Sequence, residues 1–229
     1  MKIMSNKLDY NPEFLRPITR VCDPDPRNIG YDILDEEGAR SFVLEDHLEA
    51  ISRYSLKSLV PEKINIQFET AKNIYLYAWY VYRFFPVSES QALSCLELAL
   101  RERYKDELPK KYWNRKYDPS LRPLLSYAID RDFIKNEGFE IWHQRAEMRA
   151  SQRFQDEKIE EMGAKGLSEI EIDESQIEVT DADRNWDYIE ILKENLPKIR
   201  NNYAHGSTIL HNQVLVTFQV VSEIINQIY

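Results

Sequence analysis

From Pro61 onward the apolar residues recur in threes and fours. Ile64, Phe68, Ala71, Tyr75, Ala78 and Tyr82 share one face of a single long amphipathic helix. Pro61 sits in its first turn and Pro86 is expected to stop it. Ser88-Glu89-Ser90-Gln91 has the spacing of a capping box, in which Ser88 and Gln91 satisfy free amides at the start of the next helix. The apolar stripe of that helix is Leu93, Leu96, Leu100 and Tyr104. Asp118-Pro119 predicts a further start, with Leu121, Leu124, Leu125, Ala128 and Ile129 inward and Gly138 ending or interrupting the helix. Residues 139–162 are helix-prone but heavily charged, so this helix is expected on the surface, anchored by Trp142, Met148 and Phe154. Ile189, Leu192, Leu196, Ile199 and Tyr203 restore the helical period up to Gly206, which suits a C-cap. A last helix from about His211 to Ile228 turns Val214, Leu215, Phe218, Val221, Ile225 and Ile228 inward.

Ahead of these helices the pattern differs. Pro12, Pro17, Pro24 and Pro26 punctuate residues 1–40, and Asp23-Pro24-Asp25-Pro26 is turn chemistry between possible short strands near Ile18–Cys22 and Ile29–Leu34. An irregular arm or short β-hairpin is expected there. From Phe42 the period becomes helical, with Val43, His47, Ala50 and Ile51 on one face. The reading is therefore an all-α protein: an arm over residues 1–40, then a helical domain over 41–229 with an acidic insertion around 156–183.

Charge sharpens this division. Residues 156–183 carry eleven acids against two bases, which accounts for the whole net charge of −9. Residues 101–122 hold eight bases and four acids, so a total that argues against phosphate binding hides a locally basic segment. From Gly163 to Asp183 the acids alternate with Ile170, Ile172, Ile177 and Val179, and an excursion or partly ordered loop is expected there. The richest apolar run, Ile74 to Phe85, is broken by Arg83, so no membrane span is expected. The N-terminus shows no apolar signal region, and Cys22 and Cys95 lack metal-ligand spacing. A cytoplasmic protein without metal or other cofactor is the expectation.

Candidate chemistry gathers at Pro197-Lys198-Ile199-Arg200-Asn201-Asn202-Tyr203-Ala204-His205-Gly206. Five residues rotate His205 by about 140° from Arg200 on an ideal helix, but here the helix is ending and the arginine is long. Both heads can then converge on one ligand. Asn201 shares the face of His205 and is a candidate to orient the imidazole or bind a ribose hydroxyl. Histidine titrates near neutrality, so it can take a proton from a ribose 2′-hydroxyl or give one to a leaving 5′-oxygen. Arginine offers a planar fork to phosphate and stabilises charge developing at phosphorus. RNA cleavage to a 2′,3′-cyclic phosphate and a 5′-hydroxyl follows, and a second histidine from a symmetric partner would complete the acid–base pair.

Arg200-Asn201-Asn202-Tyr203-Ala204-His205 resembles the Arg-x4–6-His motif of HEPN domains, in the variant with a polar residue directly after the arginine. Gln91 to Tyr104, which bears Glu97, is similar to the second core helix of that family. The resemblance spans residues 61–135 and 184–229. It implies a four-helix up-and-down bundle and a homodimer whose two motifs face one cleft. It also implies metal-independent ribonuclease activity in a toxin–antitoxin or phage-defence setting, with a protein antitoxin or regulator as a further partner. Arg200, His205 and Asn201 carry the catalytic roles, supported by Glu97, Asn202 and Tyr203. Toxins of this family paired with nucleotidyltransferases carry a tyrosine two residues after the histidine. Ser207 stands there, so control by adenylylation is not expected.

Simpler roles compete for several of these residues. Arg200 and His205 also suit a helix end, where positive groups meet the dipole and free carbonyls. Glu97 suits a salt bridge to Arg200 or Arg101 as well as it suits catalysis. Lys110, Lys111, Tyr112, Trp113, Arg115 and Lys116 interleave bases and aromatics as single-strand RNA binding requires. The same composition also describes a basic loop with its aromatics packed inward. His211 reads as the cap of the last helix, and His47 and His143 as solvated. A non-catalytic module that binds RNA or a protein partner is the alternative function.

Overall fold

Leu93, Leu96 and Leu100 are wholly buried, and the helix that carries them becomes the centre of the molecule. The computed structural model describes residues 10–36, 38–113, 116–206 and 208–229. Among these residues the chain is mainly helical, with seven α-helices and one two-stranded antiparallel sheet. In order they are β1 (Asp32–Asp35), β2 (Gly38–Ser41), α1 (Leu44–Ser52), α2 (Glu62–Tyr77), α3 (Phe84–Tyr104), α4 (Leu121–Asp130), α5 (Glu140–Lys165), α6 (Tyr188–Ala204) and α7 (Leu215–Ile228). The central helix α3 packs against α2, α4, α6 and α7. Each of its three buried leucines contributes about 1.5–3 kcal/mol by leaving water. Phe218 of α7 meets Phe68 of α2 at 5.9 Å between ring centroids, closing the core from the far side.

The predicted inward faces of α4, α6 and α7 are buried or half-buried, with Leu121, Leu124, Leu125, Ala128, Phe218, Val221 and Ile225 in the core. Cys95 is a core thiol that donates to the Ile64 carbonyl at 3.4 Å, and burial pushes its pKa up to about 12. Cys22 is exposed, and both cysteines are free.

Several boundaries differ from the sequence reading, each for a physical reason. The continuous helix expected from Pro61 to Pro86 is two helices: α2 ends at Tyr77 and α3 begins at Phe84. Pro86 lies inside the first turn of α3, where its missing N–H leaves no acceptor unpaired. The break is held by the arm. Asn28 donates Nδ2 to the carbonyls of Ala78 and Trp79 at 2.8 and 2.9 Å, and Asp25 accepts the Tyr82 amide at 3.3 Å. The capping box does not form. Ser88 is buried within α3 and donates to the Phe85 carbonyl at 2.6 Å, while Gln91 bonds Gln67.

The strands lie at 32–35 and 38–41, and Ile18–Arg20 forms a 3-10 turn where a strand was expected. The start of α4 is Leu121, two residues beyond Pro119. In α5 the buried face is Trp142, Ala146, Ala150 and Phe154, whereas Met148 is exposed.

His47 also departs from expectation. It is 3% exposed, bonded through Nε2 to the Tyr75 carbonyl at 2.9 Å and stacked on the Tyr75 ring at 4.2 Å. Burial holds its pKa below the ordinary 6.5, against the opposing pull of the Tyr75 carbonyl. The unfolded chain therefore takes up a proton at higher pH than the folded one. Stability from this group is full above the ordinary value and falls as pH drops through it, by at most about 1.4 kcal/mol per pH unit until the folded value is reached. Urea midpoints measured between pH 7.5 and 5.5 should fall in the wild type and fall less in His47→Gln. Parallel profiles would remove His47 as the cause.

The acidic excursion folds back along α5. Arg153 binds the Asp183 carboxylate at 3.1 Å and the Glu178 carbonyl at 2.9 Å, and Arg149 binds the carbonyls of Asp183 and Asn185. Arg153, with the Thr180 amide and hydroxyl, holds the Asp183 carboxyl well below the usual carboxylate range. This anchorage is present above the ordinary Asp pKa and is lost as pH falls through the lowered one. Asp183→Asn should speed tryptic cleavage at Lys165 and Arg184 at neutral pH while leaving the melting temperature of the core in place. An unchanged cleavage rate would show that the anchor lies elsewhere.

Candidate active site

Asp187 caps the start of α6, its side chain accepting the Glu190 amide, while Asn136 Oδ1 accepts the amides of Tyr188 and Ile189 at 2.9 Å each. It ends as its sequence predicts: His205 donates its amide to the Asn201 carbonyl, and Gly206 takes φ +85, a left-handed conformation that favours glycine. Arg200 bonds Glu97 and Tyr203 bonds Glu89, so α6 descends α3 in the antiparallel sense.

Glu97 gathers two arginines. Arg200 Nε lies 3.0 Å from its Oε2, Arg101 Nη2 lies 2.5 Å from Oε1, and the Leu121 amide that opens α4 donates to Oε2 at 3.2 Å. The carboxylate side chain is 7% exposed, against 31% for Arg200 and 27% for Arg101. One negative charge thus faces two positive ones, leaving a net cation at the protein surface. Arg200 is fixed through Nε and Nη2, and Nη1 has no partner among the described residues. This is a guanidinium oriented by a carboxylate with donors still open to an anion.

His205, Asn201 and Asn202 are exposed. The imidazole of His205 forms no hydrogen bond among the described residues, and the Asn201 side chain does not hold it. Neither Arg200 nor His205 uses its side chain to cap carbonyls of α6.

Tyr203 faces a second polar cluster. Its hydroxyl donates to the buried Glu89 carboxylate, which also accepts Thr217 Oγ1 at 2.5 Å. His211 Nε2 lies 3.1 Å from the Tyr203 hydroxyl and 3.4 Å from Glu89 Oε2. Burial and the adjacent Glu89 push the Tyr203 phenol far above its ordinary pKa, so it stays a neutral donor. His211 is therefore not the cap of α7, which starts four residues later at Leu215; its place is set by Glu89 and Tyr203. Glu89 sits between Ser88 and Ser90, so its local sequence carries no sign of burial, unlike Glu97, an acid within an apolar run of α3. A cavity of about 170 Å³ adjoins this cluster and is lined in part by Asn202 and Tyr203.

The basic segment leaves α3 at the same corner, since Arg101 also reaches the Pro119 carbonyl at 3.4 Å. Lys110, Lys111 and Lys116 are exposed. Tyr112 and Trp113 are half-buried against the core: the Tyr112 hydroxyl bonds Asp130 at 2.5 Å, and the Trp113 indole donates to the Tyr117 carbonyl. Arg115 and Ser207 lie outside the described residues. Tyr117, which closes this stretch of bases and aromatics, is its exposed ring, at 73%. His143 is exposed as expected.

Among the described residues no three His, Cys, Asp or Glu side chains converge as a metal site requires, and no helix is long and apolar enough to cross a membrane. Comparison with protein-family models, with curated proteins and with solved structures finds no match.

Proposed function

We propose that this protein is a metal-independent endoribonuclease of the HEPN type, acting as a homodimer in which two copies of α6 face one cleft. The observation that carries the reading is the end of α6 itself. There a half-exposed guanidinium, oriented by buried Glu97, stands five residues before an exposed imidazole that forms no hydrogen bond among the described residues. The four-helix up-and-down arrangement of this family is supported by the antiparallel run of α6 against α3.

In this mechanism Arg200 holds a non-bridging phosphate oxygen and stabilises the charge that builds up as the ribose 2′-oxygen attacks phosphorus. The P–O5′ bond breaks and leaves a 2′,3′-cyclic phosphate. One His205 removes the 2′-hydroxyl proton, and His205 of the second protomer protonates the departing 5′-oxygen. Asn201 positions the ribose. Lys110, Lys111, Lys116 and Arg115 supply the sequence-independent attraction to the backbone. A cytoplasmic toxin or phage-defence role under a protein antitoxin or regulator is the matching biological setting.

Purified protein incubated with mixed RNA in EDTA should release fragments ending in 2′,3′-cyclic phosphate. Cleavage that continues equally in His205→Ala would reject the assignment. The second reading, a module that binds RNA without turnover, is favoured by the absence of an orienting partner for His205 among the described residues. Tight binding with no cleavage would select it.

A further inference from the structure

A cavity of about 530 Å³ lies between the hairpin region, α1, the end of α2 and the loop that joins α6 to α7. Its size falls in the range of small-molecule sites, roughly 300–1,000 Å³. The apolar walls are the rings of Tyr31, which is 57% exposed, Phe42 and Phe85, together with aliphatic Leu215 and Val216. At its floor His47 is almost wholly buried and bonds the Tyr75 carbonyl through Nε2. A carbonyl only accepts, so the proton resides on Nε2 and the neutral ring keeps a lone pair on Nδ1. That nitrogen has no partner among the described residues. At the rim Asn212 and Gln213 are exposed, and their amides are likewise unengaged among the described residues.

Flat apolar walls, a buried acceptor below and amides above form the chemistry that recognises a planar, uncharged, hydrogen-bonding ring, which is a nucleobase. No acidic or permanently charged side chain lines the cavity, so a phosphate would remain outside it. The loop that brings Asn212 to the rim starts at His205, and seven residues span at most about 25 Å. His211 shortens that path by pinning the loop to Glu89. A base in the cavity and a phosphate beside Arg200 therefore fit one short strand.

We propose that this cavity is a subsite for one unstacked base of the RNA, so that the substrate class is single-stranded RNA; the proposal rests on the ribonuclease reading. Stacking on Tyr31 and Phe42 supplies most of the binding, and His47 Nδ1 selects a base edge that presents an N–H.

The test uses full-length protein carrying His205→Ala, so that binding is read without turnover. Hexa-adenylate, hexacytidylate and hexauridylate are titrated beside hexamers of the same sequence with one abasic residue. Tyr31→Ala and, separately, Asn212→Ala are added to the protein; both side chains are exposed, so the fold is preserved. Loss of one base at the bound position and loss of the Tyr31 ring should each weaken binding by about 5–150-fold, and their effects should not add. Abasic hexamers and Tyr31→Ala protein that bind as tightly as their parents would overturn the subsite. So would free nucleosides that compete as well as the hexamers, because the site would then serve mononucleosides. The two readings fail separately. Tyr31-dependent hexamer binding by a wild type that never cuts RNA would sink the nuclease and keep the subsite. Cleavage abolished by His205→Ala, with binding indifferent to Tyr31, would do the reverse.

Discussion

His205→Ala is expected to slow RNA cleavage by about 10²–10⁴-fold, the usual worth of a positioned general acid or base. A clean result follows from the surroundings of the side chain. His205 is exposed, its side chain has no hydrogen bond among the described residues, and the C-terminal turn of α6 is held by backbone bonds of residues 201–206. Its removal should leave the melting temperature unchanged, so lost turnover reports chemistry. Single-turnover cleavage of end-labelled RNA in EDTA measures it, beside thermal melting of the same preparation. Mixing His205→Ala subunits with Arg200→Ala subunits adds a control on the dimer. If each protomer lends a histidine to a shared cleft, the mixture cannot regain full activity. A variant that cuts within a factor of two of wild type would end the proposal.

Glu97→Ala should destabilise the protein by about 3 kcal/mol, because breaking a buried ion pair leaves uncompensated charge. Here the change strands two guanidiniums and the opening amide of α4 together. The arginines are roughly a quarter to a third exposed, which sets the effect at the lower end of the usual range. For a chain of this length that corresponds to a fall in melting temperature of about 6–12 °C. Arg200→Ala in the same background should be less damaging than the sum of the two single changes, since it removes one of the orphaned charges. A Glu97→Ala protein that melts with the wild type would show that the carboxylate holds neither helix. Activity should fall as well, because Arg200 loses the two bonds that aim it.

Much of this architecture is legible from local pattern. The apolar stripes of α3, α4, α6 and α7 and the Gly206 terminus follow from spacing and from backbone preference, which depend on neighbours three or four residues away. The same logic finds Arg200 and His205, since both belong to one helix end. It fails where distant segments supply the deciding group. The helix expected to run from Pro61 as far as Pro86 breaks near Ala78 because Asn28 and Asp25, some fifty residues earlier, satisfy the freed backbone groups. His47 looks solvated among Glu45, Asp46 and Glu49, yet Tyr75 and Phe85 bury it.

The chain alone thus determines that the protein is mainly helical, that charge is segregated, and that an arginine and a histidine share the end of one helix. Only tertiary packing decides that Glu97 aims Arg200 and holds Arg101, and that Glu89 captures Tyr203 and His211. It alone assembles the aromatic cavity above His47. The reason is that periodicity and turn preference are short-range, whereas a buried polar group takes whichever partner the packed helices bring beside it, here about a hundred residues along the chain.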